Sequence, residues 1–264
     1  MPQAVEHIRR MRGGAQAHLM RCSDGGYYVV KFQNNPQHPR ILVNELLGTR
    51  LAARLGLRTP QAAVVHVEQR LIDLTSELVM QIGTERIPCR AGFQFGSRYP
   101  GDPAQIVVHD FLPEAQLLAV ENLDDFCGVL VFDKWTCNTN GRQAIFYRED
   151  GQPQYAAMMI DQGFCFNAGE WNFPDAPLRG LYPRQRVYER VRGMETFETW
   201  LARLEQIDER VLDAISKEIP PEWYDGEQDA LYDLLEQLLR RRKRVPDLIL
   251  EAKNSSRQPF PNWT

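Results

Sequence analysis

Val129-Leu-Val-Phe-Asp133-Lys-Trp-Thr-Cys-Asn138 is the stretch on which the reading of the chain turns. Leu123, Phe126, Cys127, Leu130 and Val131 recur at helical spacing, so an apolar helix delivers an aspartate. An asparagine follows five residues later on what reads as one turn-like loop. A carboxylate at Asp133 can orient a hydroxyl and take its proton. The amide oxygen of Asn138 can hold a divalent cation, and phosphoryl transfer needs both tasks done. The spacing also suits an Asp that caps a loop and an Asn that sits in a turn.

Two short strands follow, Gln143–Tyr147 and Tyr155–Ile160, joined by the turn-like Arg148-Glu-Asp-Gly151. The second strand ends in Met158-Met-Ile-Asp161-Gln-Gly163, so it presents Asp161 just before a glycine. There a carboxylate can bind Mg²⁺ that bridges nucleotide phosphates, although Asp and Gly are also ordinary turn residues. Upstream, Ile106-Val-Val-His-Asp-Phe-Leu112 reads as a strand stopped by Pro113, and Ala62–Val67 and Glu77–Ile82 read as two more. The aromatic run Gly92-Phe-Gln-Phe-Gly-Ser97 reads as a loop that could cover a nucleotide.

Further upstream, Val43, Leu46, Leu47, Leu51 and Leu55 mark a helix that Gly56 ends in a left-handed conformation. Lys31 lies in the apolar strand Tyr27-Tyr-Val-Val-Lys-Phe32, where it needs a partner or an edge from which to reach solvent. Glu45, fourteen residues on, starts the helix; a strand lysine paired with a helix glutamate holds nucleotide phosphates in kinases. Ser23-Asp-Gly-Gly26 joins that strand to His18–Cys22 as a hairpin. Before it, Arg12-Gly13-Gly14-Ala-Gln-Ala-His18 offers two glycines whose backbone N–H groups can approach a phosphate, or an ordinary loop.

Beyond Asp161 the chain is helical at its edges. Phe197, Trp200, Leu201, Leu204, Val211, Leu212 and Ile215 predict one long amphipathic helix, and Leu231, Leu234, Leu235, Leu238 and Leu239 predict another. The latter ends in Arg240-Arg-Arg-Lys-Arg244, which suits either a helix C-terminus or contact with phosphate. The segment 167–186 is rich in Gly, Pro and aromatics, and Trp171, Phe173 and Tyr182 either line an acceptor groove or pack the loop. Residues 253–264 read as a flexible tail.

Composition agrees with a folded chain: 264 residues, 43% hydrophobic, 25% charged, with a net charge of −4. Disordered and fibrous classes are excluded, and there is no global pull toward nucleic acid or anionic lipid. No apolar run reaches the roughly 20 residues of a membrane span. The first residues, Met1-Pro-Gln-Ala-Val-Glu-His7, do not resemble a secretory signal, so a cytoplasmic location is expected. Five scattered cysteines without a CxxC pair point to reduced, buried thiols rather than disulfides or zinc.

Glycine loop, strand Lys, helix Glu, connecting strand, Asp with Asn, short hairpin and final Asp occur in the order that kinases require. In these pieces the chain resembles the HipA-like kinases, a branch of the protein-kinase-like superfamily with kinship to phosphatidylinositol kinases. The matching residues are Val-Val-Lys31-Phe, Asn44-Glu45-Leu-Leu with Leu55-Gly-Leu57, Asp133-Lys-Trp-Thr-Cys-Asn138 and Ile160-Asp161-Gln-Gly163, within roughly residues 12 to 166.

The resemblance implies a bilobal α+β fold: a β-rich nucleotide-binding lobe over 1–112 with one helix, then a helical lobe over 113–252. It implies ATP and Mg²⁺ as cofactors. Gly13, Gly14, Lys31 and Glu45 would serve the phosphates, and His109, Asp110 and Phe111, within Val107–Phe111, would form the hinge against adenine. Asp133 would be the catalytic carboxylate, and Asn138 and Asp161 the metal ligands. The implied acceptor is a Ser or Thr of a protein, with a regulatory protein partner possible in this family. A small-molecule or lipid head-group kinase and a nucleotide-binding pseudokinase scaffold are the alternatives. Two departures stand out: Lys134-Trp135 where the superfamily often has Arg-His, and no serine between Gly13 and His18 for the loop phosphorylation that silences HipA toxins.

Overall fold

The computed structural model describes residues 1–149 and 151–263. Asp150, in the expected turn Arg148–Gly151, and the terminal Thr264 lie outside them.

The N-terminal part is an antiparallel sheet of five strands in the order β1-β2-β3-β7-β4. Its strands are β1 (Ala4–Arg10), β2 (His18–Cys22), β3 (Tyr27–Lys31), β4 (Ala62–Val67) and β7 (Gly92–Arg98). Helix α1 (Ile41–Arg54) lies between β3 and β4, and α2 (Gln69–Leu74) with the hairpin β5 (Val79–Ile82) and β6 (Glu85–Pro88) lies between β4 and β7. Alternation along β3 separates two environments. Tyr28, Val30 and Phe32 join Val65, Val67, Leu78 and Met80 in a small core on one side. Lys31 faces the other way and pairs in register with Phe95, which packs in the main core with α1.

Helix α1 ends as its sequence predicts. Gly56 adopts φ +81°, and the N–H groups of Gly56 and Leu57 bond back to Ala53 and Ala52.

The C-terminal part is built around α4 (Asp125–Thr136), reached through the four-residue α3 (Glu114–Leu117). Eleven of the twelve α4 residues are buried, so this helix has no solvent face and reads as continuously apolar. The hairpin β8 (Gln143–Tyr147) and β9 (Ala156–Ile160) follows it, and then α5 (Glu198–Glu205), α6 (Glu209–Ser216), α7 (Gln228–Arg241) and α8 (Val245–Lys253). The whole is a mixed α+β fold, sheet-rich first and helical after. Among the described residues no helix is long and apolar enough to cross a membrane.

Five expectations are corrected. Residues 106–112 form no strand, because their one strand-type pairing is a single bridge between His109 and Phe146. The aromatic run 92–97 is strand β7, held by β3 on one side and β4 on the other. The expected long helix over 197–215 breaks at Gln206–Asp208, where the Asp208 carboxylate accepts the N–H of Val211 and starts α6. In the basic run, Arg241, Arg242 and Arg244 are bonded within the chain rather than free to meet phosphate. Arg241 bonds to the carbonyls of Lys134 and Phe173, Arg242 to those of Glu205 and Ile207, and Arg244 to Asp175 and Asp247. Finally, the described part of the expected tail 253–264 packs back on the helices. Phe260 is buried with its ring 5.5 Å from Tyr188 and 5.7 Å from Phe197.

Candidate active site

Three charged side chains meet where the sheet faces the β8–β9 hairpin. The Lys31 ammonium donates to Glu45 Oε1 and, at 2.7 Å, to Asp161 Oδ1. Strand β3 supplies the lysine, the second turn of α1 the glutamate, and the residue directly after β9 the aspartate. Glu45 is fastened on its other side as well, since its carboxylate accepts the N–H of Gln162 at 3.0 Å and of Gly163 at 2.9 Å. Gly163 must be a glycine for this contact. A Cβ there would lie 2.8 Å from Ile41 Cγ1 and 2.9 Å from Glu45 Oε1.

Burial opposes the charge on Lys31, but the two carboxylates outweigh it and raise its pKa. Burial pushes Glu45 up to about 7 against the pull of Lys31, with the neighbouring Asp161 adding to the rise. Asp161 goes the other way. Lys31 overcomes its burial and brings it to about 2, so Asp161 is the member of the pair that stays ionised.

Asp161 also sits at φ +62°, a left-handed conformation costly for a residue other than glycine and frequent at functional sites. Gln143 Nε2 donates to its Oδ2 at 2.8 Å. Its side chain is 21% exposed, against 2% for Glu45. Among the described residues no three His, Cys, Asp or Glu side chains are grouped to hold a metal unaided. One accessible, ionised carboxylate fits a hard cation such as Mg²⁺ that takes its remaining ligands from phosphate and water.

The other expected metal ligand and the expected proton acceptor lie elsewhere. Asp133 falls in the last turn of α4, not in a loop, and its side chain is 0% exposed. Arg142 grips it with two nitrogens, Nε at 3.0 Å from Oδ2 and Nη2 on Oδ1. The Gly180 backbone packs directly on its Cβ. In this structure the carboxylate is ion-paired and covered, so it meets an acceptor hydroxyl only if Arg142 and the 174–180 loop give way. Asn138 is buried beside it, donating to Asp133 Oδ1 at 3.0 Å and accepting the N–H of Asn140 at 3.1 Å. Arg142 then reaches across to the carbonyl of Ile160 and to Gln162 Oε1, so the Asp133–Arg142 pair braces the backbone on both sides of Asp161.

Lys134 and Trp135 face inward too. The Lys134 ammonium donates to the carbonyls of Pro177 and Arg179, and Trp135 Nε1 donates to that of Leu238 at 2.8 Å. The departure from Arg-His is therefore built into the packing of the 174–180 loop and α7. Trp171 and Tyr182 are buried in the core rather than lining a groove.

The expected hinge lies beside a cavity whose lining includes none of Lys31, Glu45 and Asp161, and the expected glycine loop lies elsewhere. His109 lines a cavity of about 530 Å³ with Gly101, Ile106, Val107, Tyr147 and Tyr155. Ile106 and Val108 pack against one face of the β8–β9 hairpin, made of Ile145, Met158 and Ile160, and the last of these adjoins Asp161. That apolar face suits a flat base. Asp110 and Phe111 are exposed, with the Arg184 guanidinium 4.6 Å from the Phe111 ring. Gly13 and Gly14 lie in the β1–β2 connection, Gly13 at φ +113°, and Gly14 stands against Gln37. The next residue, His38, bonds through Nε2 to the carbonyl of Gly163 at 2.8 Å.

Sequence reasoning missed Arg142, Gln143 and His38. Nothing in their spacing separates them from surface polar residues, and only the antiparallel return of β9 along β8 brings Gln143 opposite Ile160.

A family model described as HipA-like kinase matches residues 4–245. Among solved structures, the Golgi casein kinase is similar at 14% identity and a TM-score of 0.57, covering 96% of this chain and 74% of that one. The same kinase with Mn/ADP bound is similar at 14% identity and a TM-score of 0.52, with the same coverage. The proinflammatory kinase CtkA of Helicobacter pylori is similar at 15% identity and 0.53, covering 95% of this chain and 97% of that one. No curated protein matches the chain in sequence.

Proposed function

The chain belongs to the HipA-like kinase family, and from that premise we propose that it transfers the γ-phosphoryl group of ATP, with Mg²⁺, to a Ser or Thr hydroxyl of a protein. The observation that carries this reading is Lys31 held between Glu45 and Asp161, with Asp161 in a left-handed backbone next to an apolar hairpin face.

Lys31 would leave its carboxylates in part to meet the nucleotide phosphates, while Glu45 keeps it aimed. Asp161 would hold the cation, whose contribution when bound is to neutralise charge on the phosphate oxygens. Gln143 orients the Asp161 carboxylate. Ile106, Val108 and Ile160 would receive the base, with His109 beside them and the Gly13–Gly14 connection toward the phosphates. Arg142 and Asp133 act one layer back, fixing the path of the chain through Asp161. An Mn/ADP complex of a fold relative supports the choice of nucleotide and divalent cation.

A second reading, a nucleotide-binding scaffold that does not turn over, is favoured by one observation. Asp133 is covered, and the connection 137–142 that follows α4 carries no other carboxylate. Incubation with γ-labelled ATP, Mg²⁺ and Ser/Thr-containing protein acceptors separates the two. Label on an acceptor or on the chain itself supports the kinase, whereas tight Mg²⁺-ATP binding with no label transfer and no ATP consumption supports the scaffold.

A further inference from the structure

Asn44 precedes Glu45 on α1 and is completely buried. Its Nδ2 lies 2.9 Å from the carbonyl of Gly163, 2.8 Å from that of Cys165 and 2.8 Å from that of Ala168. Its Oδ1 accepts the indole N–H of Trp171 at 2.8 Å. One amide thus fastens both ends of the segment that leaves Asp161, by four contacts that the helix itself does not need.

That segment does not follow an easy path. Phe166, Asn167, Ala168 and Trp171 all take positive φ, between +52° and +60°, as Asp161 does at +62°. Residues other than glycine stay in this region only where their surroundings over-determine them. Asn44 supplies that determination, and Glu45, the next residue of α1, adds to it by binding the N–H groups of Gln162 and Gly163. The Gly163 peptide is therefore held at both ends, its N–H by Glu45 and its carbonyl by Asn44.

We propose that Asn44 is the positioning residue of this site: its side chain sets the path of Gly163–Trp171 and so keeps the Asp161 carboxylate aimed for a divalent cation. The inference rests on the reading of Asp161 as the cation ligand. It adds a residue that touches neither cation nor nucleotide but controls the affinity for the first. Groups one layer behind a metal ligand typically change metal affinity about 10–100-fold when altered.

The test is a thermal-shift titration of the full chain with MgCl₂ at fixed, saturating ATP analogue, read as the cation concentration at half-maximal rise in Tm. Asn44→Asp keeps the size and the acceptor for Trp171 but replaces the donor group with an oxygen facing three carbonyls. Its midpoint is expected to rise about 10–100-fold. Trp171→Phe leaves the Nδ2 contacts in place and should move the midpoint the same way by less, so it carries the test alone if Asn44→Asp does not fold. Melting temperatures without ligand are recorded in parallel. A lowered ligand-free Tm with an unchanged midpoint would make Asn44 merely structural and overturn the inference alone. A wild-type chain without any cation response would overturn the reading of Asp161 and the inference together.

Discussion

Lys31 is a buried cation between two carboxylates, and such groups are costly to leave unpaired. Lys31→Met removes the cation and leaves the Glu45 and Asp161 carboxyl groups facing each other without it. Phosphoryl transfer should fall about 10²–10³-fold, the usual cost of losing one electrostatic donor at a reacting group. Circular dichroism should still report a folded chain. Asp133→Asn separates two roles by a different readout. If the carboxylate serves Arg142, the loss appears as stability, about 3–5 kcal/mol by urea denaturation, because a buried guanidinium loses its counter-charge. An unchanged denaturation midpoint with lost turnover would instead return Asp133 to the chemistry. Lys31, Glu45 and Asp161 were legible in the sequence because a charge in or at the end of an apolar strand, or at the start of a helix, breaks a pattern. Arg142 was not, and Asn44 entered only as part of the matching Asn44-Glu45 piece without a role, since an amide or a guanidinium at those positions looks like any surface residue until the fold closes over it.

At the level of elements, the β1–β2 hairpin carries a buried histidine pair beneath the glycine connection. His18 Nδ1 lies 3.0 Å from His7 Nε2, and Cys89 Sγ and the Phe32 ring are its other neighbours. Burial first, then the nearby His7 and Arg10, lower the His18 pKa to about 4. The unfolded chain protonates it near pH 6.5 and the folded one only near 4, so the unfolded state binds more protons between these values. Stability should therefore fall as pH drops from 6.5 toward 4, and His18→Gln should flatten that part of the Tm profile. An unchanged slope would show that His18 accepts a proton in place. The elements themselves were legible where one face is apolar and the other is not, as in α7. Strand β1, the interior strand β7 and the last helix α8 were not recognised. Strand β7 carries two glycines and a buried Gln94, so it lacks the alternation that marks a half-exposed strand. The break between α5 and α6 was missed because hydrophobic spacing continues across it while a single capping aspartate starts a new helix.

Over the whole molecule, the C-terminal residues close the helical part rather than trail from it. Phe260 has its ring 5.4 Å from Trp263 and sits between Tyr188 and Phe197. Phe260→Ala should cost about 3–5 kcal/mol, measured by urea denaturation, and a cost near zero would restore the tail expected from the polar, Pro-containing sequence. The order of the chemistry-bearing residues along the chain was legible, and so was the division into a sheet-rich and a helical part. What the chain order could not show is that Asp133 and Asn138 turn inward, since burial is decided by the 174–180 loop packing from forty residues away. The central claim is that Lys31, Glu45 and Asp161 form a cation-dependent nucleotide site. Isothermal titration of the wild-type chain with ATP, in Mg²⁺ and then in EDTA, tests it most directly. Binding in Mg²⁺ should weaken at least about tenfold in EDTA, a loss of about 1.4 kcal/mol. Equal affinity under both conditions, or no heat of binding at millimolar ATP, would contradict it.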